Sequence, residues 1–131
     1  MRGQKGIEIR EAHFPGQVPL DAYGNGGFRF AEMSHRGSLM CLPSGIYGWN
    51  VASFADFTKV NFKRVLDEAE DVEILLLGTG TDLLPIADNL RKTFRDKQIS
   101  ADSMSTGAAV RTYNVLVAEG RAVAGAFLAV E

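Results

Sequence analysis

The sequence predicts an α/β fold: a three-layer single domain with a mixed central β-sheet, in which N-terminal antiparallel strands precede a β-α-β-α-β unit. Three observations predict it. The first half alternates short extended patterns with glycine-rich turns, and the second half contains the apolar run Ile74–Leu77 followed by a helical pattern. The last run, Ala122–Val130, is apolar in both alternation phases, which indicates a strand buried on both faces. The 131 residues suit one domain, with a core from about residue 7 to residue 130.

Short strands and turns make up the first half of the chain. Apolar and polar residues alternate in two predicted strands, Ile7–His13 and Phe28–Met33. The apolar run Ser38–Leu42 and the extended piece Ile46–Trp49 are two further predicted strands. Gln17–Gly27 is rich in turn residues and is predicted to be a loop. Ser34–Gly37 is predicted to connect the second and third strands as a β-hairpin.

Strands and helices alternate in the second half. Apolar residues recur at helical spacing in Phe57–Glu70 and Ala108–Glu119. The helix between them is predicted to begin at Pro85, because proline fits the first helical position. Ser105 or Thr106 is the expected N-cap of the last helix, and Gly120 its C-terminal cap. Three strands are predicted, with the first and third at the centre of the sheet: Ile74–Leu77, Ile99–Asp102 and Ala122–Val130.

The composition argues against several classes of protein. The formal net charge is −2 without a basic stripe, so nucleic acid is not an expected partner. No apolar run approaches the length of about 20 residues that spans a bilayer as a helix, and the polar start of the chain lacks the apolar core of a secretory signal. The chain is therefore predicted to be cytoplasmic and not membrane-embedded. Cys41 is the only cysteine, and its apolar neighbours predict a buried, inert thiol.

The stretch Gly78-Thr79-Gly80 follows a predicted buried strand and Asp102 ends the next one, an order found in the dinucleotide-binding fingerprint. Two features argue against a bound nucleotide. Leu83 stands where the fingerprint has its third glycine. The predicted helix start at Pro85 also lies several residues beyond the glycines, whereas helix amides attract phosphate within about the first turn. A structural strand-to-helix turn is the favoured interpretation, and a nucleotide or other small-molecule site at Gly78–Gly80 is the alternative.

No catalytic constellation is visible in the sequence. The G-x-S-x-G pattern of a nucleophile elbow is absent, and the two histidines, His13 and His35, both lie in the N-terminal strand region. Neither histidine belongs to an H-x-x-x-H or H-x-x-E pattern of metal ligands. The sequence therefore predicts no catalytic residue, no metal and no cofactor.

Four polar residues are candidates for a small pocket at the strand ends: Asp102, Thr106, Arg111 and Asn114. Arg111 and Asn114 are three positions apart and share a helix face. The favoured interpretation is a structural hydrogen-bond network that holds the helix to the sheet edge, with Arg111 paired to Asp102 or to a carbonyl. The alternative is a ligand pocket, because open α/β sheets bind ligands at the carboxyl ends of their strands.

The segment Thr106–Arg121 (TGAAVRTYNVLVAEGR), preceded by Ile74–Gly80 (ILLLGTG), resembles the small domain of the mitochondrial complex I assembly factor 3 family and its uncharacterised bacterial and archaeal relatives. The resemblance extends from about Ile7 to Val130, and the T-x-x-A-x-R-T-Y-N core is its most specific part. It implies a three-layer α/β fold around a mixed sheet. It also implies a non-enzymatic role in assembling the peripheral arm of respiratory complex I, with no catalytic residues.

Two functions follow from these observations. The first is a non-enzymatic binding or assembly module with protein partners, whose candidate contacts are the aromatic residues Tyr23, Tyr47 and Trp49. The second is a small-molecule or nucleotide-binding protein, with or without catalysis, whose site lies near Gly78–Gly80 or near Arg111 and Asn114. An oligomer is compatible with the sequence, which contains no heptad pattern.

Overall fold

The computed structural model describes residues 14–131, so the strand predicted at Ile7–His13 lies outside the described residues. A three-stranded antiparallel sheet comprises β1 (Ala22–Gly24), β2 (Gly27–Phe30) and β3 (Met33–Arg36). A five-stranded sheet, in the order β5-β4-β8-β6-β7, comprises β4 (Ser38–Leu42), β5 (Gly45–Trp49), β6 (Ile74–Gly78), β7 (Ser100–Met104) and β8 (Val123–Phe127). The α-helices are α1 (Lys63–Asp67), α2 (Asp88–Asp96) and α3 (Thr106–Ala118).

The five-stranded sheet is mixed, as predicted. Strand β4 pairs antiparallel with β5 and with β8, whereas β6 pairs parallel with both β7 and β8. The second half of the chain is therefore the predicted β-α-β-α-β unit, β6-α2-β7-α3-β8. Strands β8 and β6 occupy the centre, because β4 and β7 flank them.

Two apolar cores cover the two faces of the five-stranded sheet and give the fold its three layers. On one face, Leu75 and Leu77 pack with Leu90 and Phe94 of α2 and with the α1 region. On the other face, Leu76 packs with α3 and with β2 of the small sheet, in a core that includes Phe28, Phe30, Val110, Tyr113 and Phe127. Neighbouring residues of β6 thus point to opposite cores, as the apolar run Ile74–Leu77 predicts.

The predicted hairpin between Phe28–Met33 and Ser38–Leu42 is wrong. The reversal occurs at Ala31 and Glu32, whose φ angles of 48° and 62° are left-handed, and β3 occupies most of the predicted turn. This turn lacks the Asn-Gly pair typical of its geometry, so the sequence carried little signal for it. After Gly37, the chain leaves the small sheet and begins β4 of the larger one.

The predicted helix Phe57–Glu70 is instead a series of short helical segments. The five-residue helix α1 lies between 3₁₀ turns at Lys59–Phe62 and Ala69–Asp71. Phe62 is fully buried, and its ring contacts those of Trp49 and Phe94 at centroid distances of 5.2 Å. Anchoring these aromatic rings in the core takes precedence over a continuous helix, because each large buried ring contributes more than helical propensity does.

The two long helices differ in how well their ends were predicted. The predicted start of α2 at Pro85 is wrong. The helix begins at Asp88, three residues later, and Pro85 lies in the exposed loop before it. Helix α3 begins at Thr106 with Ser105 as its N-cap, one of the two predicted caps. Gly120, with φ at 74°, caps the other end as predicted: its N–H donates to Val117, and that of Arg121 donates to Leu116, which is a Schellman motif. Within residues 14–131, no helix is long and apolar enough to cross a membrane.

Candidate functional site

The carboxyl ends of β6 and β7 form a surface that we call the strand-end face; it comprises the turn Gly78–Gly80, the loop Thr81–Ala87 and the N-terminus of α3. The turn does not meet the N-terminus of α2, which follows it in sequence, but that of α3. The Gly80 carbonyl accepts a hydrogen bond from the Thr106 N–H at 2.8 Å, and the Gly80 N–H donates to the Thr106 hydroxyl at 3.0 Å. That hydroxyl donates in turn to the Leu128 carbonyl at 2.8 Å. Thr106 therefore joins β6, α3 and the end of β8.

Gly78 permits the close approach of α3 to β6. A Cβ atom at this position would lie 3.1 Å from the Thr106 Cα and 3.2 Å from the Phe127 ring. Thr106 and Phe127 are fully buried, and the hydrogen bonds of Thr106 fix the helix end. Neither Thr106 nor Phe127 can move easily, so Gly78 is required for the close packing of α3 on β6.

Thr79 shapes the loop that leaves the turn. Its hydroxyl lies 2.6 Å from the Asp82 carbonyl, to which it donates, and it accepts a hydrogen bond from the Leu84 N–H at 3.0 Å. The loop consequently turns outward, leaving Leu83 58% and Leu84 39% exposed. Leu83 and Leu84 are therefore two adjacent apolar side chains at the surface of this loop. In the sequence, Leu83 stands out only as a departure from a glycine pattern, and the signal that was missed is a Leu-Leu-Pro run without helical neighbours.

The structure brings together only part of the predicted polar pocket. Thr106 is buried in the network described above, whereas Asp102 is exposed on the edge strand β7 and Arg111 is exposed on α3. No ion pair joins Asp102 to Arg111 among the described residues. Asn114 lies elsewhere on α3: its amide donates to the Leu20 carbonyl at 2.9 Å and accepts from the Leu20 N–H at 2.8 Å.

Two of the first three helix amides beside Gly78–Gly80 are already bonded within the protein. Of the first three amides of α3, that of Thr106 donates to Gly80 and that of Ala108 donates to the Ser105 hydroxyl at 3.4 Å. Tyr23 covers Gly107 so closely that any side chain there would collide with its ring. A phosphate group binds at a helix N-terminus through free, accessible amides. The N-terminus of α3 offers few such amides, which argues against phosphate binding there.

The three aromatic candidates have different environments. Tyr23 of β1 is 41% exposed and packs on the N-terminus of α3, beside the strand-end face. Tyr47 is buried, with the Arg64 guanidinium 4.0 Å from its ring centroid. Trp49 is half-buried, and its indole N–H donates to the Asn61 carbonyl at 2.8 Å. Tyr23 is thus the candidate that offers an open contact surface.

Three ionisable groups, Cys41 and Tyr113 in one core and the half-buried His35 of β3, favour their neutral forms. Burial raises the pKa of the Cys41 thiol to about 12, although its hydrogen bond with Tyr113 lowers it. Burial, followed by the neighbouring Cys41, raises the pKa of the Tyr113 hydroxyl, which donates to the Val18 carbonyl at 3.2 Å. Burial lowers the pKa of His35, whose bond with the Ser38 carbonyl opposes that shift. Within residues 14–131, no group of three or more His, Cys, Asp or Glu residues is placed to hold a metal ion.

These features define a class of protein: a three-layer α/β domain whose strand-end turn is closed by internal hydrogen bonds and is flanked by exposed apolar side chains. Residues 20–128 match the family described as protein of unknown function (DUF498/DUF598), and the chain belongs to this family.

Related proteins come from bacteria and from animals. A crystal structure described as an outer membrane protein from Bartonella henselae is 58% identical, with a TM-score of 0.88, and the match covers 91% of this chain and 100% of that one. An uncharacterised protein of Rhodobacter capsulatus is 38% identical over 91% of this chain and 90% of its own length. NADH dehydrogenase [ubiquinone] 1 alpha subcomplex assembly factor 3 of Mus musculus is 28% identical over 93% of this chain, which spans 66% of the mouse protein. The resemblance found in the sequence is thereby confirmed.

Proposed function

We propose that the protein is a non-enzymatic binding module that acts in the biogenesis of respiratory complex I by holding protein partners at its strand-end face. The observation that carries this proposal is the match to mouse assembly factor 3 over 93% of the chain. The domain shared with an assembly factor is therefore almost the whole of this chain. Its partners would be proteins, with no nucleic acid.

The chemistry of the strand-end face supports protein binding. Its buried polar groups bond to one another, since Thr106, Gly80 and Leu128 share one network. Its exposed side chains include the apolar Leu83 and Leu84, and Tyr23 packs against the adjoining N-terminus of α3 while 41% exposed. Protein interfaces concentrate their binding energy in such side chains, and aromatic residues are prominent among them.

Location is part of the same proposal. We place the protein in the cytoplasm, where a module of this kind can meet newly made subunits. The relative from Bartonella henselae is described as an outer membrane protein. An experiment can therefore decide between the cytoplasm and the outer membrane. Fractionation of native cells should recover the protein with cytoplasmic markers, and recovery with outer-membrane markers would contradict the proposed location.

The partners can be tested by affinity capture. The tagged full chain is expressed in its source organism, and captured proteins are crosslinked and identified by mass spectrometry. We expect subunits or assembly proteins of respiratory complex I. The double variant Leu83→Ser/Leu84→Ser should lose them while keeping its melting temperature, because both side chains are exposed.

Val115→Ser is the matched control, since Val115 is 56% exposed on α3 away from the loop. This variant should capture the same proteins as the unmodified chain. Capture of no respiratory protein by the unmodified chain would overturn the proposed function. Equal loss in the double variant and in the control would overturn the assignment of the surface.

A further inference from the structure

Strand β7 is an edge of the five-stranded sheet, and the backbone groups on its outer side pair with no other residue within 14–131. The Ser100 N–H donates to Glu73, and the Met104 carbonyl accepts from Thr79, so alternate residues from Ser100 to Met104 bond to β6. In a parallel ladder, the residues between them direct their N–H and C=O groups away from the partner strand. Ala101 and Ser103 therefore present donors and acceptors outward, and no described residue pairs with them.

Among the described residues, this edge carries few of the features that usually prevent pairing with another strand, and its one charged side chain is Asp102. Edge strands are commonly protected by proline, lysine, a bulge or a covering segment. The sequence of β7, Ser-Ala-Asp-Ser-Met, contains neither proline nor lysine, and its five residues pair with β6 in continuous register. A short strand of another molecule can therefore add to it by backbone hydrogen bonds.

The side of this edge that faces α2 is basic. Arg91 and Arg95 line a shallow groove of about 370 Å³ together with Ser100 and Ala101. Within the described residues neither guanidinium forms an ion pair, whereas the adjacent Lys92 pairs with Asp96 at 2.9 Å. Like charges four residues apart on a helix repel each other, so a carboxylate in the groove would relieve an existing repulsion.

A second copy of the chain fits this edge poorly. Antiparallel pairing of two β7 strands about Asp102 would place two carboxylates opposite each other. Like charges directly across a sheet destabilise the pair. Two copies would also bring together two pairs of arginines and no acidic groove, so the charges favour a different partner.

We propose that β7 accepts an extended acidic segment of a partner protein as an additional strand. Its backbone would bond to Ala101 and Ser103, and carboxylates at alternate positions would lie over Arg91 and Arg95. Because side chains alternate between the faces of a sheet, the residues between those carboxylates would face the side of Asp102 and would be neutral or basic. The inference rests on the proposed function as a protein-binding module and supplies the chemistry of one partner segment.

The probe is a fluorescent octapeptide that alternates threonine with glutamate, blocked at both ends. We expect it to bind the full chain, and to bind about tenfold or more weakly to the variant Arg91→Glu/Arg95→Glu. A peptide with lysine in place of glutamate should show the reverse preference. The matched control is Lys92→Glu/Lys97→Glu, which changes charge by the same amount on neighbouring positions outside the groove.

Hydrogen exchange provides a measurement that needs no variant. In the free protein the amides of Ala101 and Ser103 should exchange quickly, whereas those of Ser100 and Asp102 are protected by β6. The glutamate peptide should slow exchange at Ala101 and Ser103, and a peptide N-methylated on alternate residues should not. Binding that leaves these amides unprotected, or that survives Arg91→Glu/Arg95→Glu unchanged, would overturn the proposal.

Two further outcomes are informative. A dimer in sedimentation that is disrupted by Ala101→Pro would identify a second copy as the occupant and overturn the acidic segment; proline at this position removes only an outward N–H. If the unmodified chain captures respiratory proteins but does not bind the octapeptide, the edge inference fails while the proposed function stands. If the chain binds the octapeptide but captures no respiratory protein, the edge inference stands and the proposed role in complex I biogenesis fails.

Discussion

The side-chain amide of Asn114 holds the backbone of Leu20 in both directions, donating to its carbonyl at 2.9 Å and accepting from its N–H at 2.8 Å. The neighbouring Tyr113 donates to the Val18 carbonyl. One face of α3 is thereby fixed to the segment that leads into the small sheet. Asn114 interrupts an apolar helix because a chain segment without strand partners needs its backbone groups satisfied.

Replacing Asn114 should therefore reduce stability. Asn114→Ala leaves the Leu20 N–H and C=O without partners, and we expect the free energy of unfolding to fall by about 1–3 kcal/mol. Urea denaturation monitored by Trp49 fluorescence measures the change. Arg111→Ala on the same helix is the control, since Arg111 is exposed, and should change stability by no more than about 0.5 kcal/mol. Equal effects of the two substitutions would contradict this role of Asn114.

The hydroxyl of Thr106 should matter more than its methyl group. Thr106→Val keeps the shape of the side chain but leaves the Gly80 N–H and the Leu128 carbonyl unpaired, which we expect to cost about 2–3 kcal/mol. Thr106→Ser keeps the hydroxyl and removes one methyl group, at about 1 kcal/mol. Thermal and urea unfolding of both variants provides the comparison. A more stable valine variant than serine variant would show that the network does not hold the strand-end face.

Nucleotides should not stabilise the protein. The amides of Thr106 and Ala108 are bonded internally, and Tyr23 covers Gly107. A ligand present at 100 times its Kd would add about 2.7 kcal/mol, which thermal-shift assays detect readily. We expect no shift with ATP, ADP, NAD or inorganic phosphate. A shift that Gly80→Ala abolishes would instead favour the small-molecule alternative for Gly78–Gly80.

Cys41 predicts a loss of stability at alkaline pH. Its pKa rises from 9.0 to about 12 on folding, so between these values the folded state holds more protons than the unfolded state. Stability conferred by the neutral thiol is complete below pH 9 and falls as the pH rises, by up to about 1.4 kcal/mol per pH unit. Urea denaturation of the native protein at pH 8 to 10 measures this slope. Near pH 10 the slope should correspond to about one more proton bound by the folded state than by the unfolded state.

Cys41→Ala should flatten that slope between pH 9 and 10. Above pH 10 the variant should still lose stability, because burial also raises the pKa of Tyr113. Ellman's reagent gives an independent measurement: the thiol should be unreactive in the folded protein at pH 8 and should react in urea. A folded protein whose Cys41 reacts as fast as a free thiol would contradict the buried, neutral state.

The sequence predicted the parts of the fold that local patterns determine. The runs Ile74–Leu77 and Ala122–Val130 identified the two central strands. Ser105, one of two predicted N-caps, and Gly120 cap the ends of α3. The hairpin at Ala31-Glu32 escaped prediction because neither residue is typical of a left-handed turn. Phe57–Glu70 was mistaken for one helix because tertiary packing of Phe62 outweighed its periodicity.

The candidate site was predictable only in part, for a similar reason. The sequence indicated that Gly78–Gly80 is a structural turn, but its partner, the N-terminus of α3, lies 26 residues further on and is reached only through the fold. Spacing along one helix could associate Arg111 with Asn114, yet it could not show that Asn114 bonds to Leu20. The Thr79 hydroxyl accepts a hydrogen bond from the Leu84 N–H, a contact that no local pattern reveals.

The most direct test of the proposed function is respiratory NADH oxidation by membranes from a strain that lacks this protein. The proposal predicts that the rate falls together with the amount of assembled complex I. It also predicts that the unmodified chain and Val115→Ser restore both, while Leu83→Ser/Leu84→Ser restores neither. A deletion strain with normal NADH oxidation and a normal amount of complex I would contradict a role in complex I biogenesis.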